Sequence, residues 1–176
     1  MNDISIPIKS IHIPIEEMMY YGQDLLQLVY TYVKDKALAQ DLTQEIIVKC
    51  YEAYPTYRGK SKLKTWMWRI AINHCKDYLK SWHNQNIQVT VDTGVDVQAS
   101  SNVEQQVIQQ DEQVRLANAV MQLPIMYREV IYLFYFEEYT SKEIANMLSI
   151  NENTVKTRLR KAKQFLKEQL EVSEWI

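Results

Sequence analysis

The sequence predicts an all-α fold of two small helical domains, joined by a flexible acidic linker, with a helix-turn-helix in the C-terminal domain. Glycine and proline are rare, at 3 and 4 of 176 residues, which disfavours phosphate-binding glycine loops and turn-dense β folds. Apolar side chains recur at helical spacing on both sides of a polar, acidic stretch. This pattern divides the chain into an N-terminal arm (1–15), a first domain (16–82), a linker (83–110) and a second domain (111–176).

Charge is distributed unevenly along the chain, although the formal net charge is only −2. Residues 49–83 contain eight Lys and Arg against two acids, and residues 151–170 contain six against two. Residues 84–113, between them, contain five acids and no Lys or Arg. Two basic segments separated by an acidic one predict two contacts with nucleic acid on one chain.

Two helices are predicted at the start of the first domain. The apolar face of the first is formed by Leu25, Leu28, Val29 and Tyr32. The second begins near Leu38 and ends at Pro55, since proline keeps the residue before it out of the helical conformation. Its inward stripe consists of Leu42, Ile46, Cys50 and Ala53. Asp41, Gln44 and Glu45 lie off that stripe, so we expect them to be exposed.

Cations and aromatic rings interleave through the next stretch, 54–82. Residues 57–62 include Gly59 and are interpreted as a loop, followed by a helix from about Leu63 to Trp82. The interleaved side chains are Arg58, Lys60, Lys62, Lys64, Arg69, Lys76 and Lys80, with Tyr54, Tyr57, Trp66 and Trp68. Cations that track phosphates beside rings that stack on unpaired bases are typical of single-strand binding. The alternative is a basic helix whose rings belong to the core.

The stretch 83–110 is rich in Gln, Asn, Ser, Asp and Val. Ile87, Val89 and Val91 alternate as in a short strand, but one isolated strand is not stable. We therefore interpret the whole stretch as a flexible acidic linker.

Helices resume near Asp111. In the first of these helices, the side chains predicted to face inward are Val114, Ala117, Val120 and Met121. It ends at Leu123, and Pro124 begins another helix. The inward side chains of that helix are predicted to be Tyr127, Val130, Ile131 and Phe134.

A pair of helices with a tight bend is predicted over 140–165. Thr140 followed by Glu143 has the spacing of a capping box, so a helix is expected to start there. Its apolar face carries Ile144, Ala145 and Leu148. Ser149 or Asn151 then caps the next helix, because both side chains can accept from a free backbone N–H.

That last helix has one apolar and several polar faces. The inner face carries Val155, Leu159, Ala162 and Leu166. The outer faces carry Asn153, Thr154, Lys156, Thr157, Arg158, Arg160, Lys161 and Lys163. This is the pattern of a helix-turn-helix whose second helix enters the major groove. The alternative is an ordinary amphipathic hairpin, but a solvated face usually mixes both signs of charge.

A metal site, a cofactor and catalytic residues are not expected. Cys50 and Cys75 lack Cys-x-x-Cys spacing, so buried reduced thiols are the better interpretation. Asp41 and Glu45 form one acidic pair without a second, which disfavours a small helical nuclease or phosphohydrolase.

No targeting segment is predicted. The start of the chain is acidic and interrupted by Pro7 and Pro14, unlike a signal peptide, and no apolar run has the length of a membrane span.

Three blocks, in this order, resemble the extracytoplasmic-function (ECF) sigma factors over roughly residues 16–82 and 111–170. DLTQE at 41–45 resembles the family's polymerase-binding helix. A second block of this chain resembles the family's melting loop and −10 recognition helix, and its sequence is YRGKSKLKTWMWRIAINHCKDYL. A third block of this chain resembles the family's −35 recognition domain, and its sequence is LPIMYREVIYLFYFEEYTSKEIANMLSINENTVKTRLRKAK.

The resemblance implies a role for each block, with the chemistry left to the polymerase. Asp41, Gln44 and Glu45 would contact core RNA polymerase. The residues implied in −10 recognition and melting are Tyr54, Tyr57, Arg58, Lys60, Lys62, Trp66, Arg69, Asn73, Lys76 and Lys80. Those implied in −35 recognition are Asn153, Thr154, Lys156, Thr157, Arg158, Arg160 and Lys161.

The partners implied are core RNA polymerase, through its β′ clamp helices and β flap, promoter DNA and an anti-sigma factor. The implied location is the bacterial cytoplasm, without direct membrane insertion, although an anti-sigma factor would be able to hold the chain at the membrane. Departures from the family pattern at Glu138, Asn151, Asn153 and Thr157 affect the expected promoter preference. The alternative function is a helix-turn-helix transcriptional regulator with a helical sensor domain.

Overall fold

The computed structural model describes residues 14–93 and 112–173, and the regular secondary structure in both ranges is helical, which confirms the predicted all-α class. The α-helices described there are α1 Ile15–Tyr20, α2 Gly22–Val33, α3 Lys36–Ala53, α4 Leu63–Thr93, α5 Glu112–Gln122, α6 Ile125–Ile131, α7 Ser141–Leu148 and α8 Glu152–Ser173. The predicted arm up to residue 13 and the predicted linker from 94 to 110 lie outside the described residues.

Helices α1 to α4 form the first domain. Its fully buried side chains include Leu25, Leu28, Val29, Ile46, Met67, Trp68 and Ile72. The turn from α2 to α3 is set by Lys34, in the left-handed region with φ of 58°, and by the N-cap Asp35. The Asp35 carboxylate accepts from the backbone N–H of Leu38 at 2.8 Å. This turn fixes which face of α3 packs inward and leaves the opposite face in solvent.

A short loop separates α3 from α4, as predicted. Tyr54–Thr56 form a single 3-10 turn, and α4 begins at Leu63. Gly59 between them has a φ of +67°, which a side chain would strain. The loop therefore needs glycine at this position and holds its neighbouring cations at the surface.

Helix α4 is longer than predicted. It was expected to end near Trp82, but it continues to Thr93, so the first part of the predicted linker is helical rather than irregular. Gln and Asn are tolerated within helices, and no Gly or Pro occurs from Leu63 until Gly94. The change in composition at residue 83 therefore does not end the helix.

Helix α5 matches its predicted inward face only in part, since Val120 is buried as predicted and Met121 is half-buried. Ala119 and Val120 are buried, whereas Val114 is 53% exposed and Ala117 is also exposed. The helix carries two apolar stripes, and packing against α8 and α6 selects one of them. Its end is held by the buried Arg128, whose Nη1 donates to the carbonyls of Met121 at 2.8 Å and Leu123 at 3.3 Å.

The helix-turn-helix is confirmed, including its capping box. Glu143 accepts from the backbone N–H of Thr140 at 2.8 Å, and the Thr140 hydroxyl accepts from the backbone N–H of Glu143 at 3.3 Å. Ser149 ends α7 in the left-handed region with φ of 55°. Asn151 rather than Ser149 caps α8, since its Oδ1 accepts from the backbone N–H of Asn153 at 2.8 Å.

Candidate polymerase and nucleic-acid interface

One face of α3 is polar and open to solvent. Asp41, Gln44 and Glu45 are all exposed on it. The other side of the helix is anchored in the core by Leu42 and Ile46, so the three polar groups stand on a rigid support. This arrangement suits docking of another protein, because little ordering is needed on binding.

His74 joins this face to α4. Its Nε2 lies 2.9 Å from Oε2 of Glu45, and its Nδ1 lies 2.7 Å from Nζ of Lys49. A neutral imidazole satisfies both contacts, by donating from Nε2 to the carboxylate and accepting from the ammonium at Nδ1. His74 therefore restricts the rotamers of Glu45, a role that sequence reasoning missed because the two residues are far apart in the chain.

Three rings of the predicted melting segment pack together at the start of α4. The centroid of Tyr57 lies 5.7 Å from that of Tyr54 and 5.2 Å from that of Trp66. All three are partly buried, and the Tyr57 hydroxyl donates to the carbonyl of Ser61. The rings thus form one platform beside the loop 57–62. Trp68, by contrast, is fully buried and belongs to the core.

Four polar residues of α4 that belong to the predicted −10 set form one stripe. Arg69, Asn73, Lys76 and Lys80 recur at helical spacing along it. Arg69, Asn73 and Lys80 are exposed, as are the loop cations Arg58, Lys60 and Lys62. Lys76 differs, since its Nζ lies 3.0 Å from Oε2 of the buried Glu129 in the second domain. Residues at both ends of the stripe are therefore exposed to solvent, whereas Lys76, between Asn73 and Lys80, is paired with Glu129.

The outer face of α8 is also basic. Its exposed members are Asn153, Lys156, Thr157, Arg160 and Lys161, and Thr154 is half-buried. Lys156 forms a surface ion pair with Glu152 at 2.8 Å, which solvent makes weak. Arg158 is turned inward, with Nη1 3.1 Å from Oε1 of Glu129. Of the predicted −35 residues, Arg158 is thus engaged within the protein in this conformation.

Two family models match the chain, sigma-70 region 2 over residues 18–84 and sigma-70 region 4 over residues 113–166. The RNA polymerase sigma factor SigV of Bacillus subtilis is 30% identical over 150 residues, spanning 85% of this chain and 86% of that protein. The ECF RNA polymerase sigma factor SigX of the same organism is 32% identical over 156 residues, spanning 86% and 80%. The chain belongs to the ECF group of the sigma-70 family.

The fold of this sigma factor is also that of a solved one. The chain superposes on the sigma factor RpoE of Bartonella quintana, crystallised with the anti-sigma factor NepR, with a TM-score of 0.70 and 22% identity. The match covers 89% of this chain and 96% of that one. Membership of the sigma factors, which are initiation factors and not enzymes, decides against the nuclease and the regulator with a sensor domain.

Glu129 is the main feature of this sigma factor that sequence reasoning missed. It is 3% exposed, and its carboxylate meets Lys76, Arg158 and the hydroxyl of Tyr32, which donates at 2.9 Å. Burial, followed by the charge of Glu129, raises the pKa of Tyr32 well above its usual value, so the phenol stays protonated and donates. A Glu beside Arg128 in a helical pattern gives no sign of such partners, because two of them lie in the other domain.

Two negative findings concern the described residues alone. Across 14–93 and 112–173, no group of three His, Cys, Asp or Glu side chains is arranged to hold a metal ion. Within the same ranges, the helices lack the combination of length and apolar character that crossing a bilayer requires.

Proposed function

We propose that this sigma factor uses three separate surfaces to start transcription: one for core polymerase, one for the −10 element and one for the −35 element. The observation that carries the proposal is the placement of three exposed polar faces on three rigid helices, α3, α4 and α8. Each face has a different chemistry, and each lies in a block that resembles the family's motif for that task.

The polymerase surface is the exposed face of α3. Asp41, Gln44 and Glu45 supply two carboxylates and an amide within about one turn of helix, a spacing that suits docking against another helix. We propose that they bind the β′ clamp helices of core RNA polymerase. His74 keeps Glu45 oriented before binding, which lowers the entropy lost on docking.

The −10 surface combines the ring platform with the stripe of α4. Its members are Tyr54, Tyr57, Arg58, Lys60, Lys62, Trp66, Arg69, Asn73, Lys76 and Lys80. Rings stack on unpaired bases without regard to sequence, and the neighbouring cations hold the strand's phosphates. Asn73 has the donor and acceptor that pair with an adenine edge. We propose that this surface receives and stabilises the opened strand.

The −35 surface is the outer face of α8. Its members on that face are Asn153, Thr154, Lys156, Thr157, Arg160 and Lys161, and Arg158 joins them when its side chain turns outward from Glu129. In a helix-turn-helix the second helix lies in the major groove, where Arg and Asn meet base edges and Lys meets phosphates. We propose that α8 binds intact duplex, and that the second domain also contacts the β flap of the polymerase.

An anti-sigma factor is the further partner that we propose. The solved sigma factor with the same fold was crystallised with one, NepR, and the ECF family commonly has them. The proposed site of action is the bacterial cytoplasm, where polymerase and promoters are found. Attachment to the membrane would then come from the anti-sigma factor.

Run-off transcription tests the proposal. Core polymerase is incubated with genomic fragments, with and without the purified chain, and the transcripts are mapped. The proposal predicts discrete 5′ ends that appear only with the chain and share upstream −35 and −10 elements. Identical transcripts with and without the chain, at saturating amounts that bind core polymerase, would contradict it.

A further inference from the structure

A groove of about 430 Å³ lies beside α2, and the surfaces proposed above for polymerase and DNA do not include it. One wall is a stripe of α2 with the start of α3, and the other comes from α5 and the π-helical turn Tyr132–Phe136. Its apolar lining includes Leu26, Tyr30, Ala39, Val120, Met121 and Phe136. The volume falls within the range of about 300 to 1,000 Å³ that is usual for ligand sites.

The groove leaves aromatic rings exposed above a buried apolar floor. Ala39 and Val120 are buried in it, whereas Tyr30 is 41% exposed and Phe136 is 57% exposed. Three polar side chains are exposed at its rim: Gln23, Gln27 and Lys36. An apolar surface with a polar rim is typical of an interaction site, because covering the rings removes apolar area from water. The groove therefore suits an apolar segment of chain.

The residues that precede α1 have the pattern of such a segment. They lie outside the described residues, so their sequence alone is considered. Isoleucine recurs there at alternate positions in two runs: Ile4, Ile6 and Ile8, then Ile11 and Ile13. Proline follows the second and the last of these, and both proline and β-branched side chains favour an extended backbone before them or at them. Alternate side chains of an extended chain share one face. The run from Ile4 to Ile8 therefore predicts a ribbon with one apolar edge.

This segment is long enough to reach the groove and to fill it. Pro14, where the described fold begins, is nine residues from Gln23 at the near end of the groove, which is about 14 Å along helices. Residues 9–13 span about 17 Å when extended, which covers that distance. The run from Ile4 to Ile8 then spans about 13 Å, and the α2 wall from Gln23 to Thr31 is about 12 Å long.

We propose that residues 4–8 occupy this groove in their own chain, with Ile4, Ile6 and Ile8 against the exposed rings. The tether at Pro14 favours this occupant over a second copy, because a linked segment loses little translational freedom on docking. Docking is independent of the transcriptional roles proposed above, since it needs neither polymerase nor DNA. Any partner that binds between α2 and α5 must first displace the segment.

Disulfide exchange in the full chain tests this proposal. Ile6→Cys is combined with Gln27→Cys, on the groove wall, or with Gln40→Cys, which is exposed on α3 and does not line the groove. The native Cys50 and Cys75 are buried. In a glutathione buffer, the ratio of disulfide to dithiol measures the effective concentration of one thiol at the other. We expect this concentration to be at least about tenfold higher for the Gln27 pair.

Serine variants then test whether apolar contact is responsible. Ile4→Ser with Ile8→Ser, added to the Gln27 cysteine pair, should lower its effective concentration about tenfold or more, because serine gains little by covering a ring. The matched control is Ile11→Ser with Ile13→Ser, which makes the same changes in the part proposed to bridge to α1. It should change the value by less than about threefold, since these side chains lie outside the groove.

Three results would overturn the proposal. Equal effective concentrations for the Gln27 and Gln40 pairs would mean that the segment does not select the groove, which is then left to another partner. Equal losses in the two serine variants, or no loss in either, would mean that residues 4–8 are not the part that docks. Disulfide-linked dimers as the main product of the Gln27 pair, identified by mass spectrometry, would place the segment on a second copy instead.

Discussion

At the scale of single residues, the two thiols are buried, whereas three residues proposed to bind partners are exposed. Cys50 and Cys75 are fully buried, whereas Gln44, Glu45 and Asn73 are exposed. The sequence predicted the exposure of Gln44 and Glu45 and the burial of both cysteines correctly, because a residue's position relative to an apolar stripe is a local property. It did not predict that Glu129 would be buried and paired, since a stripe carries no information about partners from another domain.

The cysteines are expected to be inert in the folded chain. Burial raises the pKa of the Cys50 thiol and of the Cys75 thiol from 9.0 to about 12, so at pH 8 their thiolate fraction falls about a thousandfold. Alkylation by iodoacetamide, followed by mass spectrometry, should be slower by about that factor than for the exposed thiol of a Ser81→Cys variant. Denaturant should remove the difference. Rapid labelling of either native thiol in the folded chain would show that the first domain opens readily.

Gln44→Ala with Glu45→Ala should weaken capture of core polymerase without unfolding the chain. Both side chains are exposed, and truncating a side chain that binds a partner costs about 1 kcal/mol or more of binding free energy. The measurement is a pull-down titration beside a thermal melt. Gln164→Ala with Glu168→Ala removes the same two side-chain types from an exposed part of α8 and serves as control. Equal polymerase recovery from both folded double variants would argue against α3 as the docking face.

At the scale of elements, helix ends were predictable and inward faces less so. The capping box at Thr140 and the loop around Gly59 occur where the sequence placed them, because caps and turns depend on a few neighbouring residues. The face of α5 was predicted only in part, because two apolar stripes compete and only packing against α6 and α8 selects between them. The end of α4 was predicted too early because a polar composition was interpreted as an irregular chain.

Thr140→Ala should destabilise the helix-turn-helix by about 1 kcal/mol, since it removes one side of the capping box. In a domain of about 60 to 100 residues this lowers Tm by about 4 to 8 °C. The control is Ser141→Ala, which removes a neighbouring hydroxyl that does not cap. No change in Tm for Thr140→Ala would mean that the cap is unimportant to α7.

The effect of Thr140→Ala should also depend on pH. The Thr140 hydroxyl, and then its backbone N–H, hydrogen-bond to Glu143 and lower the pKa of that carboxyl below 4.5. The folded state therefore keeps the carboxylate charged at a lower pH than the unfolded state does. The stabilisation is fully present above pH 4.5 and is lost as the pH falls through the lowered pKa, so the difference in Tm between wild type and variant should shrink there without vanishing. Exposure of Glu143 to solvent keeps this pH-dependent part small.

At the scale of the whole molecule, the sequence predicted two domains but not that they dock. Helices and caps follow from local pattern, whereas docking depends on side chains about a hundred positions apart, such as Tyr32 and Glu129.

The isolated segment 111–176 should still fold, because Leu123, Val130, Ile144 and Val155 form a core of its own. Circular dichroism should show a cooperative thermal transition. A helical signal that fades without a transition would mean that the first domain is needed for folding.

Strand opening distinguishes the roles proposed for the two DNA surfaces, melting for α4 and duplex binding for α8. Asn73→Ala removes an exposed side chain from the proposed −10 surface. Lys156→Ala with Arg160→Ala removes two exposed cations from the proposed −35 surface. Tyr57→Ala also disturbs the ring platform, so Tyr57→Phe, which keeps the ring, is measured beside it.

The measurement is permanganate footprinting of the −10 region beside gel-shift titration on the same promoter, with core polymerase present. We expect Asn73→Ala to bind nearly normally but to open less DNA, and a pre-melted −10 bubble to restore its activity. We expect the Lys156 and Arg160 variant to bind more weakly, with a salt slope lower by about two, and the bubble not to rescue it. Normal opening by Asn73→Ala and Tyr57→Ala, on a promoter that the wild type opens, would contradict the assignment of α4 to melting.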